Sequence, residues 1–231
     1  MRVALSGWFW DYPETGTGQY LRYLTAALAD VAPASRFTVL TPTPPPETVC
    51  APNVEFITVP GKRTNVGKVW WEQVTLPRAV HRFGVDVLHV PYWAPPLYAG
   101  LPAVVTIHDL IPLLLKPYRG TLPVRMYTAF VSATASRATL LLTDSEASRR
   151  DIVAHLRVSP TRVQTVYLAV DRIYVPVRST DSTDETDGDD PKAHSFCFEI
   201  AAAKDAAVLA QLGVKPGYVL YLGGFDVRKN V

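Results

Sequence analysis

TLLLTDSEASRRDIVAHL, Thr139 to Leu156, contains the step on which the fold turns. Thr139–Thr143 is too short and too apolar for an amphipathic helix and reads as a buried strand. Asp144 or Ser145 then supplies a cap, and Ser145–Leu156 continues at helical spacing. A buried strand feeding a capped helix is half of a parallel βαβ unit, and the same step repeats along the chain. Further strands are expected at Val3–Ser6, Phe37–Thr41, Val54–Val59, Val85–Val90, Ala103–Ile107 and Val163–Tyr167. Several are nearly continuous Val, Leu and Ile runs, as strands covered on both faces must be. Helices are expected at Gln19–Val31, with Leu21, Leu24, Leu28 and Val31 on one face, and after Pro123. Asn65–Phe83 reads as helical until Pro77 interrupts it. The fold class that follows is α/β, a Rossmann-like, doubly wound, mostly parallel sheet.

Composition sets the class boundaries. The 231 residues are 48% hydrophobic and 19% charged, an ordinary globular balance. No run approaches the roughly 18–20 apolar residues of a membrane span. MRVALSGWFW lacks a clear cleavage site and reads as a first strand rather than a signal peptide. Cys50 and Cys197 stand in unrelated contexts, so a disulfide framework is not expected and a reducing cytoplasm is the default. His81, His155 and His194 lie in no site-like context, and the histidines show no metal spacing, so no metal is expected. Residues 1–178 hold 18 Lys and Arg against 12 Asp and Glu, whereas residues 179–231 hold 5 against 9. The basic excess of the first part mildly favours phosphates or an anionic membrane surface. It is too weak for nucleic-acid binding, and no nucleic-acid motif accompanies it.

STDSTDETDGDDPK, residues 179–192, holds six acidic residues and no side chain fit for a core. The expected organisation is therefore an N-terminal domain over 1–178, an acidic disordered linker over 179–195, and the opening of a second domain over 196–231. In that last segment Ala201–Leu212 is a helical pattern and Tyr218–Leu222 a strand.

Four stretches can carry chemistry. In ETGTGQYLRYL, Glu14–Leu24, Gly16 and Gly18 let the backbone approach a ligand at a helix N-terminus, or merely make a tight turn. Leu21 stands where a dinucleotide fingerprint wants a third glycine, and no acidic residue closes the strand ending at Thr41. Those absences disfavour a nicotinamide or flavin oxidoreductase. In VVTIHDLIP, Val104–Pro112, His108 follows a strand where α/β sheets bind ligands; the bland alternative is a core histidine. His89 occupies a similar strand end and favours the bland reading. Ser145 either binds a phosphate or only caps its helix. Trp10 and Tyr12, in the aromatic run Trp8–Tyr12, either stack on a sugar ring or pack. Trp70 and Trp71 read as packing. In GGFDVRKN, Arg228 and Lys229 are a fork and a point cation suited to a diphosphate, or an exposed basic turn.

GTGQYLRYL, WWEQVTLPR, DVLHVPYW, VVTIHDLIP, TDSEASRRDI and YVLYLGGFDVRKNV, in that order, resemble the retaining glycosyltransferases of family 4. Their architecture is termed GT-B, and the likeness leans toward the mannosyltransferase-like branch. The resemblance implies an N-terminal domain that binds the acceptor and a C-terminal domain that binds a GDP- or UDP-sugar. It places Gly16, Gly18, Arg228 and Lys229 at the donor phosphates and His108, the catalytic candidate, at the transferred sugar. Trp10, Tyr12, His89 and Ser145 stand beside these as candidate acceptor or sugar contacts, on their residue types and positions alone. It implies no metal and no cofactor besides the donor, a glycan or lipid-linked acceptor, and peripheral contact with the inner face of a membrane. Family members continue past the RKN turn into a region that carries a spaced pair of glutamates. The 231 residues by themselves are therefore expected to show negligible transfer. The alternative is a non-catalytic acceptor domain or binding module, because the sheet alone does not fix a chemistry.

Overall fold

The computed structural model describes residues 1–46 and 48–169. The expected boundaries at 178 and 195, together with Arg228 and Lys229, lie outside the described residues. Met1–Leu168 form one compact unit.

Seven strands lie in one sheet: β1 (Arg2–Ser6), β2 (Arg36–Thr41), β3 (Val54–Thr58), β4 (Val87–Val90), β5 (Ala103–Thr106), β6 (Leu140–Thr143) and β7 (Val163–Thr165). Their order is β3-β2-β1-β4-β5-β6-β7, and every pairing is parallel. All seven expected strands are present, each shifted or shortened by two residues or fewer at its ends. The helices are α1 (Gly16–Val31), α2 (Asn65–Trp70), α3 (Leu76–Arg82), α4 (Ile111–Leu114), α5 (Leu122–Ala135) and α6 (Glu146–Leu156).

Successive strand residues point to opposite faces, and the sheet consequently has two cores. Val3, Leu5, Phe37 and Val39 pack with Leu21 of α1. Ala4, Leu40, Leu88, Val90, Val105 and Leu141 pack with Trp71, Leu76, Val80 and Val131 on the other face. On α1 the buried positions are Gly18, Leu21, Thr25 and Ala29, with Leu24 and Leu28 partly buried beside them. Val31, expected on the same face, is 76% exposed because it ends the helix.

The helix expected to break at Pro77 departs from α-geometry earlier. Trp71–Thr75 form a π-helical turn between α2 and α3, and Pro77 sits in the first turn of α3. Residue 77 offers no N–H to the helical ladder, and its place is the point where the π turn gives way to α-geometry.

From β1 the chain winds outward to β2 and β3, then returns to place β4 on the other side of β1. In an open parallel sheet this reversal opens a crevice at the carboxyl ends of the two central strands.

Candidate functional site

Buried polar groups without partners collect along this carboxyl edge. Among the described residues Asp11 Oδ1, Thr41 Oγ1, His108 Nε2 and Thr143 Oγ1 are buried and make no hydrogen bond. They lie at or just beyond the ends of β1, β2, β5 and β6. Buried polar atoms are overwhelmingly paired in folded proteins, so an edge carrying several unpaired ones is suited to receiving a ligand.

His108 is held from three sides. Its Nδ1 lies 2.7 Å from Asp144 Oδ2. Its ring meets that of Tyr20 edge-on, with centroids 4.8 Å apart. Its carbonyl accepts from Ser148 Oγ at 3.0 Å. Tyr20 is itself tied down, its hydroxyl 3.2 Å from Thr106 Oγ1, and His89 Nε2 meets the same oxygen at 3.0 Å. Burial, the largest influence on Tyr20, raises its pKa, so the ring is a neutral phenol. An ionised carboxylate only accepts, so Nδ1 of His108 carries the proton. Nε2 is left to meet a ligand, as an acceptor in the neutral ring or a donor in the imidazolium.

The two glycines of the first loop have different jobs. Thr15 caps α1 by accepting from Gly18 N at 3.1 Å. Gly16 is the first helical residue, and a Cβ there would meet nothing within 4 Å. Its surroundings are open, as approach to a phosphate requires. Gly18 is buried, and a methyl there would overlap the carbonyl of Tyr12. Its small size lets α1 close on the preceding loop. Arg63 pins that loop, donating to Trp8 O at 2.5 Å and Thr43 Oγ1 at 3.0 Å and pairing with Asp11. Its guanidinium stacks within 5.0 Å of the Trp8 ring centroid and 5.2 Å of the Tyr12 centroid.

Three expected contacts are corrected. Trp10 is 1% exposed, edge-on to Phe56 at 4.7 Å with Arg22 over its ring, and offers a sugar no open face. Tyr12, 37% exposed, keeps one. His89 is buried, and desolvation lowers its pKa to about 4; it is a neutral strut beneath Thr106 rather than a sugar contact. Ser145 is the N-cap of α6, accepting from Ser148 N at 3.1 Å and donating to Ser148 Oγ. The cap uses up the hydroxyl reserved for a phosphate. Asp109 accepts from Ile111 N at 2.9 Å and so shapes its own turn.

The sequence reading missed Tyr20, Thr106, Arg63 and the role of Asp144. Only Asp144 had a signal, as a carboxylate one strand over from a histidine at an equivalent strand end.

Residues 15–172 match Glycosyltransferase Family 4. No curated protein matches the sequence. Among solved structures, sucrose-phosphate synthase from Thermosynechococcus elongatus superimposes with a TM-score of 0.52 at 17% identity, over 77% of this chain and 50% of that one. WaaG, a glycosyltransferase involved in lipopolysaccharide biosynthesis, gives 0.51 at 21%, over 71% and 44%. HepE from Anabaena, in complex with UDP and glucose, gives 0.46 at 15%, over 74% and 45%. The matched region spans half or less of each of those three structures. With the family matched over most of its length, and the all-parallel sheet of the N-terminal half of a GT-B fold, the chain belongs to glycosyltransferase family 4.

Proposed function

We propose that the chain serves a retaining hexosyl transfer, mannosyl by its resemblance, from a GDP- or UDP-sugar to a glycan or lipid-linked acceptor. In this reading the described unit binds the acceptor and presents His108 to the transferred sugar. Gly16, Arg228 and Lys229 attend the donor diphosphate, Gly18 serves it only by letting α1 close on the Tyr12 carbonyl, and no metal or other cofactor takes part. The observation that carries the reading is the unpartnered Nε2 of His108, buried at the end of β5 beside the switch point and aimed by Asp144 and Tyr20. An oriented imidazole there can hydrogen-bond a sugar hydroxyl and stabilise charge developing as the glycosidic bond to phosphate breaks.

In this reading the work takes place at the cytoplasmic face of a membrane. No helix of the described residues is long and apolar enough to cross a bilayer. A contact surface is nevertheless available. Leu115, Leu122, Val124 and Met126 are 37%, 67%, 45% and 66% exposed among Lys116, Arg119 and Arg125, and no acidic residue occurs from Leu110 to Thr143. Apolar side chains ringed by cations suit an anionic lipid surface.

The deciding experiment measures UDP or GDP release from a panel of nucleotide-sugars supplied with oligosaccharide and lipid-linked acceptors, using these residues joined to a complete donor-binding domain, since the 231 residues alone are expected to show negligible transfer. Acceptor-dependent release that His108→Ala lowers by about 100-fold supports the reading. Equal release by the variant overturns it.

A further inference from the structure

Trp71, Glu72 and Gln73 are consecutive in the π turn, and each holds a different part of the domain. Trp71 Nε1 donates to Val59 O, just past β3, at 2.8 Å. Gln73 donates to Pro95 O at 3.1 Å and accepts from Leu97 N at 2.7 Å, fixing the segment after β4. Glu72, fully buried, accepts from the Tyr127 hydroxyl of α5 at 3.1 Å and pairs with Lys68 at 2.5 Å. In an α-helix three successive side chains fan across about 200°. The wider π turn narrows that fan and lets all three bond inward, in keeping with the concentration of such turns at functional sites.

Lys68 is enclosed as well as paired. Its ammonium donates to Tyr127 OH at 2.8 Å and lies 5.1, 5.3 and 5.6 Å from the ring centroids of Tyr127, Tyr92 and Phe9. The Tyr92 hydroxyl shares a 2.7 Å hydrogen bond with Ser6, the last residue of β1. The pair thus joins the loop after β1, the segment after β4, α2 and α5. It lies at the carboxyl edge, on the sheet face opposite His89 and Thr106, since Leu5 rather than Ser6 is in register with His89. A buried ion pair is often no more stabilising than apolar residues of similar volume. What it fixes is geometry: the placement of Phe9 and Tyr92 against α5.

We propose that Lys68 and Glu72 are positioning residues for an acceptor half-site on this face. Its ligand is a sugar ring that stacks on Tyr12, 37% exposed, with the partly buried ring of Phe9 behind it, tilted by 60° at 6.2 Å between centroids. A sugar offers an apolar C–H face to such rings and hydroxyls to its rim, the usual division of labour in a small-ligand site. The inference rests on the acceptor half of the reading above and is independent of transfer.

The test is binding of the full chain to an array of oligosaccharides on neutral and lipid linkers, alongside thermal unfolding. Lys68→Met alone strands a buried carboxylate and destabilises the fold, so the informative variant is Lys68→Met/Glu72→Met, which leaves no charge behind. The expected result is wild-type binding to a subset of glycans. The double variant then melts within a few degrees of wild type yet binds them about tenfold more weakly, and Tyr12→Ala does the same. Wild-type binding by the double variant, or no glycan bound by the wild type, overturns the inference. Nucleotide release, measured separately, decides the transferase reading.

Discussion

Nδ1 of His108 and Oδ2 of Asp144 are 2.7 Å apart, across the ends of two neighbouring strands, and the carboxylate thereby dictates which ring nitrogen carries the proton. Asp144→Asn keeps the shape but can turn an N–H toward Nδ1, moving the neutral ring's proton to Nε2. Transfer should fall by about 100-fold with little change in melting temperature. Nitrogen-15 spectra of the histidine ring report the tautomer directly. An unaltered tautomer together with unaltered transfer would remove Asp144 from the site.

The buried His89 makes the domain acid-sensitive. Its pKa is lowered from 6.5 to about 4, so between those values the unfolded chain binds the extra proton and the folded chain does not. Above pH 6.5 the residue costs nothing. As pH falls toward 4 its penalty grows to about 3 kcal/mol. Urea unfolding from neutral pH to pH 4 measures this loss, and His89→Gln, which keeps an N–H near Thr106, should flatten it. A variant losing as much stability as wild type would assign the sensitivity elsewhere.

Two alanine substitutions separate the glycines. Gly18→Ala forces a methyl into the Tyr12 carbonyl and should cost about 1–3 kcal/mol. Gly16→Ala enters open space and should leave stability within about 0.5 kcal/mol while weakening donor use. Chemical denaturation and the donor KM provide the two readouts. A stable Gly18→Ala protein would contradict the close contact.

Sedimentation with phosphatidylglycerol–phosphatidylcholine vesicles tests the exposed surface around Leu122 and Met126. Wild type should pellet with anionic vesicles, less so as salt rises, and Leu122→Glu/Met126→Glu should stay in the supernatant while melting normally. Equal pelleting by the variant would assign any lipid contact to another surface.

The fold was legible because its signals are local. Runs such as Leu140–Thr143 and caps such as Ser145 are decided by neighbours in sequence, and they give the strands to within two residues and the start of α6 to within one, whereas α1 begins three residues before the expected Gln19. His108 was legible for the same reason: a strand end is a place in the sequence as well as in the sheet. Its supports were not. Tyr20 reaches Thr106 across 86 residues and Lys68 reaches Tyr127 across 59, pairings that only the strand order brings about. Trp10 failed for the opposite reason, since an aromatic beside a glycine loop looks the same whether its ring turns outward or folds back onto Phe56. The π turn was masked by Pro77, the more conspicuous irregularity nearby.

That π turn fixes the length of its helix. A π turn is an α-helix carrying one additional residue, and the inserted residue offsets everything before it by about 100° against everything after it. Deleting Val74 should heal the helix, and with α3 fixed by its core residues the rotation would fall on α2, carrying Lys68 away from Tyr127. A shortened helix of better intrinsic geometry would then belong to a worse domain, measurable as a lower melting temperature. Single-residue length changes in this segment should therefore be tolerated worse than substitutions at its exposed positions.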